Sequence, residues 1–451
     1  SIFPIAFFAI TIYTSVRGEV ADVKMDQKKT KEIEKEVRTN LEKGRDYVIH
    51  FLNWMIRAVT VGIICGLVGA VFHRSLEYVA ELRMEHGWLL YFLPISGILI
   101  VFCYRICGVG YDRGTNMVLD SIHSSETMFF RTTPLIFIGT LLTHVCGGSS
   151  GREGAALQIG GSLGSTIGRA FSLNEKERNI LVMCGMSAVF TAMFGTPITA
   201  TIFSMEVISV GIIYYSAFVP CIISSVIALG ITSIFQIQPT QFALSYIPEL
   251  SPIVCIQVIL LSIVVAVVSI LFCSAMHHVS HLYRKLIRNQ YKRIIVGGCL
   301  VILMTLLVGN RDYNGPGMEM VERALTSDVP RFAFLLKIIF TAITLGAGFK
   351  GGEIVPSLFI GATLGNVAAP LLGMDPIFGA AIGMIAFFCG VVNCPIASIM
   401  LSLELFGGAD VLLFCIACGV SYVFSGYYGL YSSQKIMYSK LEAKYINRKS
   451  Q

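Results

Sequence analysis

Two glycine-rich segments place charged residues between strongly apolar stretches of the chain. The first, GGSSGREGA at residues 147–155, holds Arg152 and Glu153, and the second, GAGFKGGEIVP at residues 346–356, holds Glu353. Each segment precedes an apolar helical run and therefore leaves backbone N–H groups unpaired at a helix start. Such a start carries partial positive charge and binds anions, and glycine lets an ion approach the backbone closely. The pattern predicts a pathway that holds a small anion and releases it again.

Glu153 is predicted to gate this pathway. Its carboxylate is itself an anion tethered to the helix start, so the ionised form would occupy the anion site and the protonated form would leave it. One side chain would thereby gate the pore and carry a proton. The structural alternative is a helix cap, which stabilises by about 0.3–1 kcal/mol. We favour the gate because ionisable residues at membrane depth are costly and usually functional.

The other charged residues of the two segments are open to two interpretations each. Arg152 and Lys350 would either raise the anion concentration at a mouth of the pathway or form salt bridges and snorkel, and we favour the latter. Glu353 would either cap its helix or line the anion site.

The elements that position these residues are membrane helices. Of the 451 residues, 55% are hydrophobic and only 14% are charged, whereas a soluble protein carries about 25% charged residues. Several apolar runs are shorter than the roughly 20 residues that a straight span needs. Short, interrupted apolar helices are typical of a transporter with a buried site. We therefore expect a polytopic membrane protein and not an enzyme.

The cysteines and the net charge point to no further ligand. The thirteen cysteines lie in or beside apolar runs, without the paired spacing of a zinc site. We expect them to be buried hydrophobic residues, with no disulfide, no metal and no cofactor. The net charge of +6 is modest and indicates no nucleic-acid partner.

Two sequence patterns recur in the same order in the two halves of the chain. TPITATIFSMEV and CPIASIMLSLEL contain Glu206 and Glu404, and IGGSLG at residues 159–164 matches IGATLG at residues 360–365 at a nearly equal offset. The recurrence predicts a duplicated membrane domain with inverted halves. For Glu206 and Glu404 we favour a structural or interfacial role.

The chain is divided into five parts by composition. We expect an apolar segment of unassigned role at residues 1–16, a charged cytoplasmic helix at 17–50, membrane repeats at 51–236 and 252–431, and a short basic tail at 432–451. The basic residues beside the first span favour a cytoplasmic N-terminus, and the basic tail favours a cytoplasmic C-terminus with no appended soluble domain.

The motifs resemble those of the CLC family of chloride channels and anion/proton antiporters. GREGA at residues 151–155 is similar to the family's GREGP signature, GGEIVP at 351–356 to its second-half segment, and GLYSS, with Tyr431, to its anion-coordinating tyrosine region. The resemblance implies an all-α fold of two inverted-topology repeats of tilted, partly broken helices, with one pore in each subunit of a homodimer. It implies Glu153 as the gating glutamate.

The resemblance also implies a set of anion-binding residues. In chain order they are Gly114, Thr115, Asn116, Gly151, Arg152, Gly154, Gly352, Glu353, Ile354, Val355 and Tyr431.

Three departures from the family pattern bear on the transported ion and the proton. Gly114, Thr115 and Asn116 stand where the family has Gly-Ser-Gly, Ala155 replaces a proline, and Val207 replaces the intracellular proton glutamate. The absence of this serine and the presence of Glu353 together resemble the sequence pattern of the family's fluoride-exporting branch. Chloride is the expected ion and fluoride the alternative, and a proton antiporter and a passive channel both stay open.

Two other functions fit parts of the sequence. GSSG at residues 148–151 matches the nucleophile pattern of rhomboid-type intramembrane proteases, with Ser150 as nucleophile and a base from His277, His278 or His281. A carrier for cations or other solutes would need acidic rings or polar helix faces, and the apolar helices offer few acidic residues. Neither alternative is favoured over the anion pathway.

Overall fold

The computed structural model describes most of the chain, namely residues 27–109, 113–124, 128–244, 246–408 and 411–451. The predicted segment 1–16 lies outside the described residues, as does the first part of the charged segment. Contacts divide the chain into two units, residues 1–56 and residues 57–451. All contacts discussed below lie within the second unit.

The described residues are predominantly helical, as predicted. The helices of the first half are α1 Gln27–Glu85, α2 Leu93–Ile106, α3 Thr115–Ser124, α4 Thr132–Val145, α5 Glu153–Ala170, α6 Glu175–Phe194, α7 Pro197–Glu206 and α8 Phe218–Ile234. Those of the second half are α9 Pro252–Leu286, α10 Gln290–Val308, α11 Met318–Ala324, α12 Ala333–Ala347, α13 Ile354–Ala368, α14 Pro376–Val392, α15 Pro395–Phe406 and α16 Val411–Phe424.

Long and short apolar helices coexist in this architecture. Among the described residues, six helical segments are long and apolar enough to cross a membrane; they are Arg38–Glu85, Gly87–Ile106, Tyr215–Ile234, Pro252–Leu286, Gln290–Val308 and Ile354–Leu372. Others, such as α4, α12 and α15, are apolar but shorter. Proline stands at the first turn of α7, α9, α14 and α15, where its missing N–H costs no hydrogen bond. The prediction of interrupted helices is confirmed.

The recurring glycine motifs pack one helix tightly on the next in each half. A Cβ atom added to Gly160 of α5 would lie 2.1 Å from the carbonyl oxygen of Gly185 in α6. In the second half, a Cβ on Gly365 of α13 would lie 2.1 Å from the carbonyl oxygen of Gly379 in α14. Only residues without a side chain allow such close backbone contact between membrane helices. The motifs therefore mark equivalent helix pairs of the two repeats.

The two repeats are inverted relative to each other, and two carboxylates show it. Glu206, at the end of α7, accepts hydrogen bonds of 3.2 and 2.8 Å from backbone N–H groups in the first turn of α15. Glu404, near the end of α15, accepts bonds of 2.9 and 2.8 Å from the first turn of α7. Since each helix ends at the start of the other, the two run antiparallel. Both carboxylates have the structural role that the sequence favoured.

The segment after the second repeat folds against the membrane helices instead of forming a simple tail. Strand β2, Lys435–Tyr438, pairs in parallel with β1, Ser209–Val210, which follows α7. Strand β3, Tyr445–Lys449, pairs antiparallel with β2. A small three-stranded sheet is thus added to the predicted helices. The boundaries drawn for the two repeats and the tail stay a prediction.

Candidate functional site

The two glycine-rich breaks meet directly in the structure. The N–H of Gly151 donates to the carbonyl oxygen of Gly352 at 2.6 Å, and the N–H of Gly352 donates to the carbonyl oxygen of Gly151 at 2.7 Å. This antiparallel bridge sets the start of α5 beside the start of α13. Two positive helix ends, one from each repeat, therefore converge at one place.

Glu153, the predicted gate, is completely buried at this junction. It is the first residue of α5, and its carboxylate turns back to accept a 3.0 Å hydrogen bond from the backbone N–H of Arg152. The Arg152 guanidinium lies on the same carboxylate, with Nε 3.3 Å from Oε1, and also donates to the carbonyl oxygen of Met193. Arg152 thus forms a salt bridge with the predicted gate, which is one of the two alternatives that the sequence left open for this side chain.

A second carboxyl group, that of Glu353, lies beside the bridge, directly after Gly352. Glu353 is the residue before α13, and it is partly buried. A Cβ atom added to Gly154 would lie 3.2 Å from Glu353 Oε2 and 3.2 Å from Thr115 Oγ1. The carboxyl group, the threonine hydroxyl and the start of α5 therefore surround one small space.

The remaining predicted anion ligands lie around the same space. Thr115 is the first residue of α3, directly after Gly114, whose φ of +62° favours glycine. Ile354 and Val355 are the first two residues of α13, where the backbone N–H groups have no partner within the helix. The buried Tyr431 hydroxyl has no hydrogen-bond partner among the residues that the structure describes.

An open cavity of about 650 Å³ reaches Glu353. Gly114, Asn116 and Glu353 line it, together with residues of α2, α9, α10 and the C-terminal strands. Asn116 accepts a 2.8 Å hydrogen bond from the N–H of Ser433, which anchors the loop of the first repeat to the chain after Tyr431. Three of the predicted site residues thus line one open cavity.

Three further polar residues, which were not predicted from the sequence, support the site. Gln158, one turn into α5, donates to the carbonyl oxygen of Gly154 at 3.1 Å and lines the cavity. The buried ring of His144 lies 3.2 Å from the carbonyl oxygen of Gly151, and the amide of Asn314 donates to the carbonyl oxygen of Gly147. The signal that could have found Gln158 and His144 is a polar residue within an apolar helix adjoining the break.

The arrangement expected of a serine protease is not formed. The Ser150 hydroxyl lies 3.5 Å from the carbonyl oxygen of Lys350, and its hydrogen bonds within the described parts of the chain include none to histidine. The ring of His277 instead lies 2.9 Å from the carbonyl oxygen of Gly429. The serine therefore belongs to the packing of the two breaks.

Comparison with known proteins agrees with this geometry. A family model described as voltage gated chloride channel matches residues 97–426, well over half of the chain. The chain belongs to the CLC family.

The CLC relatives cover most of the chain. A chloride/fluoride channel protein of Pseudomonas syringae pv. tomato is 32% identical over 402 residues, 88% of this chain and 89% of the relative. The H(+)/Cl(-) exchange transporter ClcA of Vibrio cholerae is 26% identical over 393 residues, 79% of this chain and 82% of the relative. The crystal structure of a CLC-type fluoride/proton antiporter superposes with a TM-score of 0.83 at 29% identity, covering 86% of this chain and 98% of that one.

Membership of the CLC family confirms the resemblance from which the site was predicted. It also confirms an integral, multi-pass membrane protein built from inverted helical repeats.

Proposed function

We propose that this CLC protein exchanges fluoride for protons across a membrane, with chloride as the alternative ion. The observation that carries the proposal is that two carboxyl groups, those of Glu153 and Glu353, lie at the junction formed by the Gly151–Gly352 bridge. Exchange of an anion for protons requires two acids. One competes with the anion for its site, and the other faces the cavity. The protein transports ions and catalyses no covalent reaction.

The anion would be held by dipoles and not by a fixed positive charge. The starts of α3, α5 and α13 surround the space beside Gly154. The N–H groups of Ile354 and Val355, which have no partner within their helix, and the Tyr431 hydroxyl could donate to an ion there. Such partial charges favour entry without the binding strength of a buried lysine or arginine, so the ion can leave.

Glu153 would act as the gate and as a proton carrier. When ionised, its buried carboxylate would occupy the positive start of α5, where it accepts a hydrogen bond from the backbone N–H of Arg152. When protonated, it loses the attraction to the helix start and to Arg152, and the anion can take its place. Each exchange of carboxylate for anion would then move one proton.

Glu353 would favour fluoride over chloride and supply the second proton site. A protonated carboxyl group and the Thr115 hydroxyl are short, strong donors, and fluoride is the smaller and more strongly hydrated ion that needs such donors most. Because Glu353 lines the open cavity, it can exchange protons with water there. It would thereby replace the acid that is missing at Val207. The relatives named for chloride/fluoride and for fluoride/proton antiport support this choice.

The family supports the proposed assembly, and the basic segments beside the membrane support the proposed orientation. We expect a homodimer with one pore in each subunit, embedded in lipid, with both termini in the cytoplasm.

Ion flux from liposomes tests the proposed function. The purified full-length protein is reconstituted in vesicles loaded with fluoride or chloride, and anion efflux and proton uptake are recorded together. We expect fluoride efflux faster than chloride efflux, accompanied by stoichiometric proton movement. Faster chloride flux with protons would assign the alternative ion, and flux of either anion without protons would show a passive channel and overturn the exchange mechanism.

A further inference from the structure

The turn between α9 and α10 carries a dense cluster of positive charge that the transport mechanism does not use. Four cations are exposed there, namely Arg284, Lys285, Arg288 and Lys292. No aspartate or glutamate occurs between Glu249 and Asp312, so no acidic residue is near in sequence to Lys285, Arg288 and Lys292. We refer to residues 281–292 as the basic turn.

Stabilisation of a helix end explains the presence of only two of these four cations. Arg284 and Lys285 lie in the last turn of α9, where cations complement the helix dipole. Arg288 and Lys292 lie at the start of α10, whose first turn contains no acidic residue. A cation at that end is repelled by the positive end of the helix dipole. The helix start and these two side chains therefore create one positive field that an external anion would neutralise.

The surroundings of the basic turn are those of a membrane surface. His281, Arg284, Lys285 and Arg288 line an open groove of about 530 Å³. Leu282 and Leu286, beside the groove, are 52% and 71% exposed. Both α9 and α10 are long and apolar enough to cross a membrane, so the turn that joins them lies where a bilayer has its headgroups.

We propose that the basic turn binds the phosphate group of an anionic phospholipid. Clusters of four or more Lys and Arg residues next to a membrane span attract anionic headgroups. Each cation raises the affinity about fivefold. The exposed leucines fit the acyl chains of a lipid, which a soluble phosphate does not possess. Arg284 also lines the 650 Å³ cavity that reaches Glu353, so the bound headgroup would lie at the mouth of the anion pathway.

Lipid retention by the purified protein tests this site. The full-length protein in detergent is incubated with phosphatidylglycerol or phosphatidylcholine, and the bound lipid is counted by native mass spectrometry. The test variant is Arg288→Gln/Lys292→Gln, and the control variant, Lys176→Gln/Lys444→Gln, removes the same charge from two other exposed lysines. Liposome flux in phosphatidylcholine vesicles verifies that both variants are folded, because none of these four residues belongs to the anion site.

We expect the unmodified protein and the control variant to retain phosphatidylglycerol in preference to phosphatidylcholine. The test variant should retain it at least about tenfold more weakly, given the contribution of each removed cation. Equal retention by the test and control variants would overturn the proposal. So would displacement of the lipid by millimolar inorganic phosphate, because the turn would then bind a soluble anion.

Discussion

A Cβ atom on Gly352 would lie 2.3 Å from the backbone nitrogen of Gly154, so the two breaks are packed backbone against backbone. No side chain lies between them that could move aside. The two halves of the proposed anion site are therefore held together by glycines from both repeats, and the spacing between the helix starts depends on them.

Gly352→Ala is expected to disrupt the site. The added methyl group would contact backbone atoms of α5, which cannot yield as a side chain does, so the cost should exceed the about 1–3 kcal/mol of ordinary overpacking. Thermal unfolding in detergent and liposome flux measure the two consequences. Gly230→Ala in α8 is the matched control, since a Cβ there meets nothing within 4 Å. A Gly352→Ala protein with unchanged stability and flux would contradict the packing argument.

Glu153→Gln is expected to abolish proton coupling while anion flux persists. An amide can neither release nor take up the proton, and it lacks the charge that holds the carboxylate at the start of α5. The measurement is anion flux with simultaneous proton recording in liposomes. Glu442→Gln, an exposed position in the segment between β2 and β3, serves as the control. Persistent pH-driven uphill halide transport by Glu153→Gln would refute the proton role.

Tyr431→Phe is expected to weaken halide binding. The Tyr431 hydroxyl is buried without a hydrogen-bond partner in the described structure, as expected of a donor reserved for an ion. A hydrogen bond to a charged partner contributes about 1.5–3 kcal/mol, so affinity should fall by about ten- to a hundredfold. Isothermal titration calorimetry with fluoride and chloride gives the affinities. Tyr427→Phe is the control, because its hydroxyl lies 3.0 Å from Ser439 Oγ; equal affinities for the two variants would count against Tyr431 as a ligand.

Glu404→Ala and Glu206→Ala are each expected to lower stability by about 0.5–2 kcal/mol, the usual cost of losing a helix cap. Each substitution leaves two backbone N–H groups of the opposite helix without their acceptor. Thermal unfolding of the detergent-solubilised protein reports the change. Glu404→Gln keeps one acceptor oxygen and should lose less. If proton coupling disappears in Glu206→Ala at unchanged stability, Glu206 is a proton carrier and not a cap.

Lys440, outside the membrane-spanning segments, should make stability depend on alkaline pH. Its ammonium donates to Asn393 Oδ1 and to the carbonyl oxygen of Tyr422, and burial lowers the pKa of Lys440 from 10.5 to about 8. Between these two pH values the unfolded chain binds more protons than the folded one, so stability rises as the pH increases from about 8 to 10.5. The unfolding temperature measured across this window should therefore increase, and the increase should be smaller in Lys440→Met. Identical pH profiles for the two proteins would show that Lys440 does not titrate there.

Much of the fold class, and the position of Glu153 at a helix start, could be predicted from the sequence. A chain with so few charges has no other stable environment than a membrane, and the glycine-rich breaks could be identified because a charged residue at membrane depth is rare. The start of α5 at Glu153 could be predicted because the glycine-rich break gives way to an apolar run at this point. The recurring Glu206 and Glu404 indicated a duplication. These features are local in sequence, and local composition determines them.

Only the tertiary structure decided which groups meet. The pairing of Gly151 with Gly352 and the exchange of caps between α7 and α15 join residues from opposite repeats. The position of Arg152 on Glu153 and the folding of β2 and β3 beneath the helices likewise depend on packing and side-chain direction. A sequence specifies where a helix starts through nearby residues. Which two helix starts face each other is set by the free energy of packing the whole chain, because that pairing depends on all the helices that lie between them.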